Sequence, residues 1–217
     1  MTIEIFAHPF SSYCQKAFIA LYENDTPFEL RMLEEKDNAA ELARIWPLNR
    51  FPVLREGERV VFETTSIIEY LHVHHPGPVK LIPDDADAAV EVRMMDRFFD
   101  NYVMTPQQSI IFNCIRAEAD RDPIGDDKAR ALLDTSYAWL DTRMRGRTWA
   151  AGDSFSLADC AAAPSLFYAD WTHEIGAQFE HVRAYRERLN ARPSFARAID
   201  GGRPFRSYFP LGAPDRD

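Results

Sequence analysis

The sequence predicts an α/β module followed by an all-helical half, and three observations predict it. Apolar spacing over residues 1–78 runs strand, helix, strand, then strand, strand, helix. A Pro- and Asp-containing stretch at 79–86 reads as a linker. From about Ala88 onward only helical spacing survives. The expected division is an α/β domain over 1–78, a linker over 79–86 and a helical domain over 87–217.

Residues 2–7 place Ile3 and Ile5 on one face of a strand. Cys14, Ala17, Phe18 and Leu21 then recur at helical spacing, and Asn24-Asp25 with Pro27 ends that helix. Phe28, Leu30 and Met32 alternate with Glu29 and Arg31, which makes a second strand. A β-α-β order predicts a parallel pair joined by a right-handed crossover. Residues 34–45 are charged and Ala-rich and predict a short solvated helix or loop. Phe51-Pro52-Val53-Leu54 leads into a strand, Glu56-Gly57-Glu58 turns the chain, and Val60-Val61-Phe62 returns as a hairpin. Glu63-Thr64-Thr65-Ser66 supplies capping hydroxyls to a helix that turns Ile67, Ile68 and Leu71 inward.

In the second half Met95, Phe98, Phe99 and Tyr102 form a helical stripe, with Pro106 set to kink or interrupt it. Leu133, Tyr137, Leu140 and Met144 form another. Ser156-Leu157-Ala158-Asp159 reads as a capping box, its Asp standing in for the usual Glu or Gln. Further helices fit 178–190 and 194–200. The tail from Gly201, with three prolines and three glycines, is expected to lie over the surface.

Bulk composition bounds the function classes. A net charge of -9 argues against a general nucleic-acid or anionic-membrane binder. No run of 18 apolar residues predicts a transmembrane helix, and Met1 to Ile5 lack the basic and apolar regions of a signal peptide. Three widely spaced cysteines, Cys14, Cys114 and Cys160, point to a reducing cytoplasm rather than a disulfide framework. His72, His74 and His75 do not share one helical face, so no metal site is expected.

The chemistry-bearing stretch is Phe10-Ser11-Ser12-Tyr13-Cys14, between the first strand and the first helix. A helix N-terminus offers unpaired N–H groups and a partial positive charge to an anion. Ser11 and Ser12 read either as anion-stabilising hydroxyls or as plain helix caps. Tyr13 reads as packing, with a hydrogen-bond donor as the alternative reading. Cys14 shares the apolar stripe and reads as packing, with no cysteine at position 11 to complete a Cys-x-x-Cys pair.

Together with Phe51-Pro52-Val53-Leu54, Glu63-Thr64-Thr65-Ser66-Ile67-Ile68-Glu69-Tyr70-Leu71, Phe155-Ser156-Leu157-Ala158-Asp159 and Arg192-Pro193-Ser194-Phe195, this stretch resembles the soluble glutathione transferase family. Its loop is most similar to the serine-type classes, theta- or zeta-like. Trp46, Phe51 and Thr64 depart from the family's usual Asn, Val and Ser. The resemblance implies a thioredoxin-like N-terminal domain and a C-terminal helical bundle. It implies a glutathione S-transferase in which Ser11, or else Ser12, donates a hydrogen bond to the glutathione thiolate. Phe51, beside a cis Pro52, would pair with the cysteinyl backbone, Glu63 and Thr64 would hold the γ-glutamyl end, and Arg50, or less well Lys36, the glycyl carboxylate.

Tyr102 and Met104 are expected to line an apolar pocket for a small apolar electrophile. The resemblance further implies a homodimer through the first long helices, with glutathione as co-substrate and no permanently bound cofactor. A glutathione-dependent isomerase, dehalogenase or peroxidase, or a non-catalytic interaction protein on the same fold, are the rival readings.

Overall fold

The computed structural model describes residues 2–217. Strand β1 (Ile3–Ala7) is the centre of the first half because both of its faces are apolar enough to bury. Its Ile3, Ile5 and Ala7 face helices α1 (Ser12–Glu23) and α3 (Thr64–His74). Phe6 alternates to the other face and packs with Val53 and with Leu42 of α2 (Lys36–Ile45). The four-stranded sheet has the order β2-β1-β3-β4. Strand β2 (Phe28–Met32) lies parallel to β1, with Ile5 opposite Leu30. Strand β3 (Val53–Glu56) is antiparallel to β1, with Ile5 opposite Leu54, and β4 (Arg59–Val61) closes the hairpin.

The helical half starts with α4 (Ala86–Phe98), whose Met95 is fully buried together with Phe99 just beyond its end. A six-residue π-helix (Phe99–Met104) follows without a break and passes into α5 (Thr105–Cys114). Pro106 explains that interruption. It has no N–H to give Tyr102 four residues back, and its ring crowds that carbonyl. The Ser136 hydroxyl donates to the Tyr102 carbonyl instead, at 2.9 Å. Ser136 belongs to α6 (Pro123–Met144), whose Leu133, Tyr137, Leu140 and Met144 are buried.

Helix α7 (Leu157–Thr172) is buried on every side and packs against both α1 and α4. Its capping box is formed: Asp159 accepts from the Ser156 N–H at 2.9 Å and from the Ala150 N–H at 3.0 Å. Helices α8 (Glu180–Asn190) and α9 (Pro193–Gly202) complete the bundle. The tail lies mostly over the surface, as expected, and is anchored at one point. After a 3-10 turn (Arg203–Tyr208), Phe209 packs into the core against Trp171, and the Trp171 indole N–H donates to the Arg216 carbonyl. Apolar residues inside a Pro- and Gly-rich segment have paid for its ordering. No helix among the described residues is long and apolar enough to cross a membrane.

One buried charge joins the two halves. Lys16 of α1 is 1% exposed. Its ammonium stands 2.6 Å from Asp96 and 2.7 Å from Asp100, and donates to the Thr65 hydroxyl at 3.2 Å. It therefore links α1, α3 and the first long helix of the bundle.

Candidate active site

Two helix N-termini open onto one cleft of about 520 Å³ between the α/β half and the helical half. Ser11 is the N-cap of α1, with extended backbone (φ -80°, ψ 126°). Its oxygen accepts from the Cys14 N–H at 3.5 Å. Accepting there leaves the hydroxyl proton free to be donated, so capping and anion stabilisation are compatible roles for one side chain. Glu63 and Thr64 stand at the start of α3. The Thr64 hydroxyl donates to the Tyr13 carbonyl at 3.4 Å and ties the two helix starts together.

Three described non-glycine residues have positive φ: Asp25, Asn49 and Glu63. Two of these, Asn49 and Glu63, line the cleft. A left-handed backbone is costly for such residues and tends to persist where a site requires it. The Phe51–Pro52 peptide bond is cis, and Phe51, Pro52 and Arg50 line the same wall. Trp46, stacked on Phe62 at 4.1 Å, closes its end.

The structure separates residues that are adjacent in sequence. Ser11 and Tyr13 line the cleft, whereas Ser12 is buried away from it. Burial, followed by the nearby negative charges of Asp100 and Glu63, pushes the Tyr13 phenol up to about 12. Burial also pushes the Cys14 thiol up to about 12. A thiol held protonated and enclosed is not a nucleophile, in keeping with the packing role read from its place on the stripe. Lys36 opens α2 and does not line the cleft.

The opposite wall corrects an expectation. It is built from Arg97, Asp100, Asn101 and Gln108, with Phe112 as its apolar member. Tyr102 and Met104 do not line it. Tyr102 lies in a separate hollow between α4 and α6 with Phe98 and Trp139, and Met104 is buried in the core. The π-helical turn shifts the phase of the residues that follow it, so regular helical spacing misplaces their faces. Burial raises the Asp100 carboxyl above its ordinary range, with the Lys16 ammonium opposing the shift.

His74 and His75 take ordinary partners. His74 lies 3.1 Å from Arg59, and His75 lies 2.9 Å from Glu56, which also accepts from Tyr70. No group of three or more metal-ligating side chains is assembled among the described residues.

Comparison with known proteins follows the same two halves. The family model described as Glutathione S-transferase, N-terminal domain, matches residues 5–79, and that described as Glutathione S-transferase, C-terminal domain, matches residues 103–193. A glutathione S-transferase from Methylobacterium radiotolerans, solved with glutathione sulfonate, superposes with a TM-score of 0.80 at 28% identity, covering 92% of this chain and 95% of that one. Glutathione S-transferase theta-1 of Bos taurus is 24% identical, over 88% of this chain and 83% of its own length. Dichloromethane dehalogenase of Methylorubrum extorquens is 26% identical, over 88% and 72%. Both halves match in the order in which the structure packs them around the cleft, and the chain belongs to the glutathione S-transferase family.

Proposed function

We propose that this chain is a serine-type glutathione S-transferase, and that Ser11 holds the glutathione thiol as thiolate for attack on an electrophilic carbon. The observation that supports this most is the convergence of the Ser11 cap with Glu63 and Thr64 on one cleft. The start of α3 offers N–H groups to the γ-glutamyl carboxylate, the Thr64 hydroxyl turns its proton to it from the Tyr13 carbonyl, and Glu63 accepts from the ammonium. The backbone of Phe51 pairs with the cysteinyl unit as an added strand would. Arg50 takes the glycyl carboxylate. The thiol then lies near the N-terminus of α1, where the helix end and a hydroxyl donor both favour the anion. Holding both reactants in place supplies the larger part of the acceleration.

The polar wall opposite changes the second substrate expected from the sequence. Phe112 accepts an apolar portion, while Arg97, Asn101 and Gln108 suit an electrophile that also carries polar groups. A dehalogenase, the activity in the name of the Methylorubrum relative, would use the same thiolate, and stoichiometric halide release marks that outcome. Glutathione is a co-substrate in either case, and no resident cofactor is proposed. The three unpaired cysteines support a cytoplasmic location. We place the division between the halves at 79–86, between α3 and α4.

Thr64→Val tests the binding half of this reading. It removes a hydroxyl from a charged carboxylate, an interaction of about 1.5–3 kcal/mol. The expected result is a KM for glutathione raised about ten-fold with kcat nearly unchanged, as for loss of uniform binding. An unchanged KM contradicts the placement of the γ-glutamyl group.

A homodimer is also proposed. Val90, Met94, Tyr102 and Trp139 are exposed large apolar side chains on the first long helices, and Arg97 and Asn101 line both their hollow and the cleft. Sedimentation equilibrium is expected to give twice the 24.9 kDa chain mass, and Trp139→Glu to give the monomer. A monomeric wild type overturns this assignment.

A further inference from the structure

The loop between β1 and α1, residues 8–11, carries backbone groups that no strand or helix ladder satisfies. Most of these find partners. The His8 carbonyl accepts the Ser11 N–H at 3.0 Å. The Pro9 carbonyl accepts from Gln15 Nε2 at 3.0 Å, and the Phe10 carbonyl accepts the Tyr168 hydroxyl at 2.9 Å. The Phe10 N–H has a side-chain partner, His8 Nδ1, at 3.2 Å.

The imidazole is held in that orientation from outside the loop. Phe205 meets it edge-on at 4.6 Å, and Tyr208 stacks beside it at 6.0 Å. A ring that accepts at Nδ1 carries its proton on Nε2. That Nε2 is buried and has no hydrogen-bond partner among the described residues. The Glu34 carboxylate, 3.7 Å away, is beyond hydrogen-bond reach and already accepts from the Tyr208 hydroxyl at 2.6 Å. Leaving a buried N–H unpaired is unfavourable. A side chain present only to fill space would do better without that N–H. The compensating feature is the bond to Phe10, one residue before Ser11.

Accepting the Ser11 reading above, we propose that His8 is a positioning residue for Ser11. Its Nδ1 fixes the step from His8 to Phe10, so that the Ser11 hydroxyl is presented at the start of α1 and into the cleft. His8 itself lies outside the cleft lining. It acts through the loop and does not touch the reacting atoms.

The chemistry of the bond supplies a discriminating pair of variants. An asparagine side chain accepts from the N–H two residues on in an Asx-turn, so His8→Asn keeps the acceptor without the ring. His8→Phe keeps the ring without the acceptor. The readout is the ionisation of glutathione bound to each protein, followed by thiolate absorbance against pH, together with glutathione affinity and far-UV dichroism.

His8→Phe is expected to weaken the bound thiol's acidity about ten-fold and lower kcat/KM about ten-fold. Its glutathione affinity should stay within about two-fold, because Glu63, Thr64 and Phe51 still hold the tripeptide. His8→Asn should match the wild type within about two-fold in all three. If His8→Phe does not fold, His8→Gln takes its place, since its longer side chain puts the amide out of the Asx-turn. A folded His8→Phe or His8→Gln with wild-type thiol acidity overturns the proposal. So does a His8→Asn as impaired as His8→Phe, which would make ring bulk the relevant property. Ser11→Ala separates the two levels: unchanged thiol acidity there sinks the Ser11 reading and this inference with it. A Ser11→Ala effect that His8→Phe fails to reproduce sinks the positioning role alone.

Discussion

Lys16→Met is expected to destabilise the protein by about 3–5 kcal/mol, the cost of removing one partner from a buried ion pair. Methionine fills the volume of the lysine stem, so lost packing contributes little. The loss is electrostatic. Asp96 is 0% exposed and Asp100 lies at the edge of the cleft, and a single ammonium sits within 2.7 Å of both. Without it two carboxylates face each other in a medium that screens poorly. Asp96 keeps the Thr65 hydroxyl at 2.9 Å and Arg97 at 3.1 Å, whereas Asp100 loses its ion-pair partner.

Urea unfolding measures the effect as a fall in midpoint at constant slope. The double variant Lys16→Met, Asp100→Asn should recover part of the loss, because one of the two opposed charges is gone. A loss below about 1 kcal/mol in the single variant would show that water reaches the cluster and screens it. The same variant should weaken glutathione binding, because Thr65 follows Thr64 and loses its bond to Lys16.

Ser11→Ala is expected to lower kcat/KM about 10–100-fold, the value of a hydrogen bond to a charged group. Part of that change belongs to the lost cap of α1, at about 1 kcal/mol of stability. Ser11→Gly separates the two, since glycine caps within a few tenths of a kcal/mol of serine but donates nothing. It should match the kinetic loss of alanine with little change in stability.

Tyr13→Phe is the control for the other hydroxyl in the cleft. Burial, then the charges of Asp100 and Glu63, push that phenol up to about 12, so it stays protonated, and it lies inside the first turn of α1 rather than at the N-cap. Its expected loss is under about three-fold. A Tyr13→Phe loss larger than that of Ser11→Ala would transfer the donor role to the phenol.

What the sequence made legible follows from what periodicity can carry. The β-α-β and β-β-α orders were readable because these elements carry apolar residues at period 2 or 3.6. The capping box at Ser156 and Asp159 was readable because it is local. Lys16 was not. The stripe Cys14, Ala17, Phe18 and Leu21 identifies one buried face of α1, but α7 and α3 cover the rest of the helix, so Gln15 and Lys16 are buried as well. A buried lysine is recognisable only with its carboxylates, and these lie 80 and 84 residues further along the chain.

The cleft divides in the same way. Ser11, Phe51, Pro52, Glu63 and Thr64 come from short motifs at element boundaries, where local sequence sets the geometry. The opposite wall comes from the first long helix, whose π turn changes the phase within and beyond it, so Asn101 and Gln108 were missed and Tyr102 was placed on the wrong side, while Arg97, which precedes the turn, is a charged side chain beside an apolar stripe and reads locally as solvated. A proline at 106 signals that an interruption precedes it, but not by how many degrees the face rotates.

The most direct test of the central claim is a pH titration of glutathione bound to the wild-type protein, with thiolate absorbance as the signal. A cleft that joins the N-terminus of α1 to a free Ser11 hydroxyl predicts saturable binding and a thiol that ionises well below the value of about 8.5 for an unperturbed cysteine. Absence of binding, or binding with the thiol at its free value, contradicts the account.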